Sequence, residues 1–196
     1  MRWESLMSEL GRPAADFTLP DPSGTLHTPG EIRGPRGLLV AFICNHCPYV
    51  LHIIDDFSSL ACELAPLGIG TVAISSNDVD AHPEDGPAFM AEYARVHAFR
   101  FPYLFDESQS VAKAYDAACT PDLFLYDADL RLFYRGRFDA SRPKTPHTDP
   151  IAVTAPGADL RQAARRLMNG DPPPPDQRPS MGCSMKWKPG NEPPWA

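Results

Sequence analysis

Cys44-Asn45-His46-Cys47 is the stretch of this sequence best equipped for chemistry. Two residues between cysteines, in the first turn of a helix, bring both sulfurs within bonding reach. One thiolate can then attack a disulfide or an oxidant while the other resolves the intermediate. The flanks say where the pair sits. Leu38 to Ile43 is an unbroken apolar run, the pattern of a strand buried on both faces. Val50, Ile53, Ile54, Phe57, Leu60, Ala61 and Leu64 recur at three- and four-residue steps and form one stripe of a helix. The cysteines therefore fall where a buried strand hands over to a helix. Free N–H groups and the helix dipole favour an anion there, and the thiolate is the reactive form of cysteine. His46, protonated or donating a hydrogen bond, would lower the attacking thiol's pKa further. The first cysteine of such a turn is expected at the surface, which makes Cys44 the ionised attacker of a disulfide and Cys47 the resolving thiol, roles that can invert towards a peroxide.

The same residue types suit a metal. Copper(I) or zinc could be bound, and delivered, by Cys44, Cys47 and a histidine such as His46 or His52. Structural zinc usually adds a second Cys-x-x-Cys or a closely spaced histidine pair. Here Cys62, Cys119 and Cys183 stand alone and the histidines are scattered at 27, 46, 52, 82, 97 and 147. Redox chemistry is the leading reading, with no metal and no cofactor expected.

For the chain as a whole, 196 residues suffice for one domain with its own core. The net charge is −7 and no basic cluster stands out, so nucleic acid and anionic membrane are poor partners. No run approaches membrane-span or signal-peptide length, and a cytoplasmic location is expected. In that reducing compartment five cysteines argue for catalysis rather than a disulfide scaffold.

Around the pair, local patterning assigns the remaining elements. Residues 1 to 12 read as a leader with a possible helical turn, and 16–19 and 25–27 as short strands around the Asp21-Pro22-Ser23-Gly24 turn. Gly30 to Gly37 reads as a loop. Beyond the Cys-x-x-Cys helix, the periodicity predicts a strand over 70–75, a helix over 87–98, a strand over 101–105 and a small helix over 106–115. Asn77 and Asp78 lie at a strand's C-terminal end, as turn formers or ligand contacts. A hairpin follows over 122–126 and 130–134, then a loose excursion from Arg137 to Pro156 and a last helix over 158–168. The final segment, 171–196, is proline-rich. Pro172 to Pro175 must be extended, while Met181, Cys183, Met185, Trp187 and Trp195 are too apolar for a free tail. The expected organisation is a domain over 1–170 with 171–196 laid upon it, and Cys183 is a candidate to approach Cys119.

This order, with a Cys-x-x-Cys at the first strand-to-helix junction, resembles the thioredoxin fold: an α/β domain with a central mixed sheet flanked by helices. Thr120-Pro121, just before the hairpin, stands where such proteins carry a cis-proline beside the redox pair. There the preceding residue offers backbone groups to a substrate docking as an added strand. The stretches Phe42 to Val50, Cys119-Thr120-Pro121-Asp122 and Pro179 to Asn191 resemble a bacterial peroxiredoxin-like group within the alkyl hydroperoxide reductase and thiol-specific antioxidant superfamily. In that likeness Cys47 takes the peroxidatic cysteine's place, Cys44 the threonine three residues earlier, and Val40 the proline. The resemblance implies an antioxidant thiol–disulfide oxidoreductase cycling a Cys44–Cys47 disulfide, with His46 tuning the thiols and Thr120 and Pro121 binding substrate. Its partners would be a protein disulfide or a peroxide, and a cellular thiol reductant.

Overall fold

The computed structural model describes residues 2–146, 149–153 and 156–196. In chain order the elements are β1 (Arg2–Glu4), β2 (Leu19–Pro20), β3 (Leu26–His27), α1 (Pro29–Ile32), β4 (Gly37–Phe42), α2 (Pro48–Leu64), β5 (Ile69–Ser75) and α3 (Pro87–Val96). They continue with β6 (Tyr103–Phe105), α4 (Ser110–Ala114), β7 (Cys119–Thr120), β8 (Asp122–Asp127), β9 (Leu132–Gly136), α5 (Ala158–Asn169) and β10 (Met181–Ser184).

The main sheet has the order β6-β5-β4-β8-β9. Central β4 runs parallel to β5 and antiparallel to β8, and every one of its residues is buried. That explains its unbroken apolar sequence: a strand paired on both edges and covered on both faces has no polar side to show. Alternation sends Leu39 and Ala41 to one face, against the stripes of α2 and α5 and Met90 and Tyr93 of α3. Leu38, Val40 and Phe42 go to the other, against Phe17 and the Val111, Ala112 and Tyr115 side of α4. The apolar stripe of α2 thus pins its N-terminus, and the cysteines there, against the core. Pro48 occupies the first helical position, where its missing N–H costs nothing. The chain leaves this helix through Gly68 at φ 89°, a conformation that favours glycine.

Three sequence expectations give way. The leader is not helical where a turn was expected: Arg2–Glu4 is strand β1. The 30–37 loop contains α1, whose Thr28 N–H and hydroxyl both donate to the Glu31 carboxylate. The helix expected from residue 106 begins only at Ser110, because the Asp106 carboxylate accepts the Ala112 N–H from outside it. Part of the 137–156 excursion lies outside the described residues.

A second, small sheet of order β1-β10-β7 joins the two ends of the chain beside the redox pair. Its middle strand comes from the segment that composition reads only as extended. The backbone of 181–184 hydrogen-bonds to β1 on one side and to Cys119–Thr120 on the other. Met185 is buried and Trp187 packs on the same core face as Phe42. Gln109 anchors the chain beyond β10, donating to the Lys186 carbonyl and accepting from the Lys188 N–H and Asn191.

Candidate active site

Cys44 lies in the turn after β4 and Cys47 is the N-cap of α2. Both are buried, with 1% and 0% of their surface exposed, so Cys44 is not the surface thiol that its place in the turn suggests. The reason is what covers the turn. The Thr120–Pro121 peptide is cis. The Thr120 hydroxyl lies 3.4 Å from Cys44 Sγ, and the Thr120 carbonyl oxygen lies 3.1 Å from Cys47 Sγ. Behind this loop Asp122 and Arg135, both fully buried, form an ion pair at 3.0 Å, and burial holds the Asp122 carboxyl up at about 6. The Arg135 guanidinium also stacks 4.5 Å above the Phe124 ring.

The protons of the pair are unevenly shared, in the opposite sense to the sequence expectation. Burial resists charge on Cys47, but it is outweighed by hydrogen bonds from the thiols of Cys183 and Cys44, the Val50 amide and Thr120, so Cys47 is held well below the ordinary thiol range. Cys44 is pushed well above it, first by donating to Cys47, then by burial and by the charge of Asp85. Cys47, not Cys44, sits at the helix N-terminus, where negative charge is favoured.

The hydrogen bond of His46 goes to Asp85. Its Nδ1 lies 2.8 Å from Asp85 Oδ2, and this bond raises its pKa against the opposing effect of burial. His46 also stacks on His82, with ring centroids 4.9 Å apart. Asp85 is the organising acid that the sequence did not single out. It is fully buried and accepts from the Asn45 N–H at 2.8 Å and from Asn77 Nδ2 at 2.8 Å. Asn77 Oδ1 in turn accepts the Lys186 N–H at 2.9 Å, so Asn77 is a buried cross-link between the site and the C-terminal segment. Nothing local marks Asp85 in the sequence, since Asn45 and His46 lie 40 and 39 residues away and Asn77 lies in another loop.

The metal set expected from sequence is not assembled. Among the described residues, the clusters with ligand atoms mutually within 4.8 Å are Cys44, His46 and Asp85, or His46, His82 and Glu84; neither contains Cys47 or His52. His52 instead lines a cavity of about 440 Å³ beside Pro121, with Tyr49, Arg137, Phe138 and Arg178. Cys62 is exposed and apart from the site.

Cys183 and Cys119 do not meet as suggested. The register sets Ser184 opposite Cys119 and Cys183 opposite Thr120, so alternation turns the two cysteines to opposite faces of the small sheet. Burial pushes the Cys119 thiol well up. The same strand takes the free edge of Thr120, which sequence reasoning reserved for a substrate strand.

Fold and site together define an oxidoreductase of thioredoxin-like fold with a buried cysteine pair. The chain belongs to the AhpC/TSA family, whose model matches residues 10–135. A conserved protein of Geobacillus kaustophilus is 43% identical over 97% of this chain and 98% of its own, with a TM-score of 0.90. A protein of Sinorhizobium meliloti is 45% identical over 95% and 99%, with a TM-score of 0.87. The peroxidoxin BcpB of Mycobacterium tuberculosis shares the fold at 20% identity, over 84% and 98%, with a TM-score of 0.58. No curated protein matches the chain.

Proposed function

We propose that this chain reduces hydroperoxides by cycling a Cys44–Cys47 disulfide, with Cys47 as the attacking thiolate. The carrying observation is the placement of the pair: Cys47 caps α2, in surroundings that pull its pKa down, while those of Cys44 push its own up. The Cys47 thiolate attacks one peroxide oxygen; an S–O bond forms, the O–O bond breaks, and the departing alkoxide takes a proton. The Cys44 sulfur then attacks the sulfenic sulfur of Cys47. An S–S bond forms, the hydroxyl leaves as water with the Cys44 proton, and the disulfide is complete. Two equivalents of a cellular thiol restore both cysteines and leave as their own disulfide.

Burial favours a small oxidant over a protein disulfide. Both sulfurs are covered, and an extended peptide would need the Thr120 edge that β10 holds. Asp85 favours the charged form of His46, the neighbour of Cys47, and Thr120 and Pro121 cover the pair on the substrate side.

Peroxide consumption and free-thiol counts test this. The wild type should lose two thiols on mild oxidation and consume peroxide with a thiol reductant present. Cys47→Ser should fall to the uncatalysed rate, and Cys44→Ser, oxidised without reductant, should form no Cys44–Cys47 disulfide and stop at a trappable sulfenic acid or another product of Cys47. Wild-type turnover by Cys47→Ser would refute the assignment.

A further inference from the structure

A third thiol reaches the site and is unused by this cycle. β10 approaches β7 so closely that a Cβ on Gly182 would lie 2.0 Å from the Thr120 carbonyl oxygen. Only glycine permits that approach, and it sets the next residue, Cys183, directly opposite Thr120. Paired residues share a face, and the Thr120 hydroxyl on that face touches Cys44. Cys183 accordingly packs against the core cluster that contains Cys44 and Cys47. It is half-buried, whereas the other two are fully covered.

We propose that Cys183 is the third thiol of a relay, taking the disulfide from the buried pair and presenting it to an external thiol reductant. This rests on the Cys44–Cys47 cycle above. The relay answers a problem of access, because an external thiol must reach a sulfur in line with the disulfide, and neither sulfur of the pair is exposed. The Cys183 sulfur attacks Cys47 Sγ; the Cys47–Cys183 bond forms, the Cys44–Cys47 bond breaks, and the proton of Cys183 passes to Cys44. An external thiol then attacks Cys183 Sγ, forming a mixed disulfide and releasing Cys47. A second external thiol attacks the first, freeing Cys183 and leaving as the external disulfide. Cys47 is the hub, flanked by both other thiols. The hydrogen bond to the Cys47 thiolate is the first cause that keeps Cys183 protonated in the reduced protein, and it vanishes once Cys47 is oxidised.

The test uses the full chain as wild type, Cys44→Ser, Cys183→Ser and the double variant, each oxidised with one equivalent of hydrogen peroxide, with dimedone as sulfenic trap, and mapped without reduction. In Cys44→Ser a Cys47–Cys183 cross-linked peptide should form, and dimedone on Cys47 should be about tenfold below that of the double variant. Equal dimedone labelling in those two proteins, with no cross-link, overturns the relay. If the wild type nevertheless forms a Cys44–Cys47 disulfide, the cycle stands and only the relay is lost. A wild type that loses no thiols on oxidation overturns both. A second measurement avoids the loss of Cys44: oxidised Cys183→Ser should be re-reduced by mercaptoethanol about tenfold more slowly than oxidised wild type. An unchanged rate also overturns the relay.

Discussion

At the scale of the residue, the site runs on hydrogen-bond donors rather than on exposure. A thiolate buried beside an apolar core is costly, so its stability must come from the N–H and S–H groups aimed at it. Peroxide consumption should consequently stay nearly level from about pH 8 to about pH 6, whereas an unperturbed thiol of pKa about 8.5 would lose roughly 80-fold of its thiolate over that range. A rate that follows the unperturbed curve would remove the special status of Cys47. The His46–Asp85 contact gives a second expectation. Folding raises the histidine pKa, so the contact adds stability below the unfolded value near 6.5, and that gain is lost as pH rises through the folded value. Asp85 is lowered on folding despite its burial, and its contribution is lost as pH falls through its folded value. In Asp85→Asn the His46 pKa should drop towards about 6.5 and stability should fall by about 1–3 kcal/mol, read from ring-proton titration and denaturant unfolding. A His46 pKa that does not move would break the link.

At the scale of the element, β10 occupies the backbone edge of Thr120. It is short and held mostly by backbone, which makes its docking sensitive to one side chain. Gly182→Ala puts a methyl into the Thr120 carbonyl, so β10 must move or β7 must give way. The expected cost is about 1–3 kcal/mol by the usual penalty for overpacking. Iodoacetamide should then label Cys183 faster than in the wild type while α2 keeps its circular dichroism. Unchanged stability and labelling would mean that the strand is not tightly seated.

At the scale of the whole molecule, the two chain ends close over the redox junction. Trp3, Trp187 and Trp195 line one small cavity there, and Met185 is buried against the core. With each large buried side chain worth about 1.5–3 kcal/mol, removal of residues 180–196 should lower the melting temperature markedly and expose Cys44 and Cys47 to alkylation. A truncated protein with the wild-type melting point would show that the segment contributes nothing. Among the described residues no helix is long and apolar enough to cross a membrane.

The central strand, the amphipathic helix and the Cys-x-x-Cys between them were legible from residue order alone, because each is written in a local period that needs no partner to read. Thr120-Pro121 was placed beside the pair through a resemblance carried by short motifs. Which sulfur is ionised was not legible. That choice depends on the Val50 amide, the Thr120 loop and Cys183, groups brought together only when α2 and the two sheets pack. Asp85 was invisible for the same reason, its hydrogen bonds to Asn45 and His46 being made between loops distant in sequence. The C-terminal segment reads as too apolar to trail free, but four residues of strand among prolines carry no period of their own. Tertiary structure alone set Cys183 opposite Thr120, because strand register is fixed by the partner strand and not by the strand's own composition.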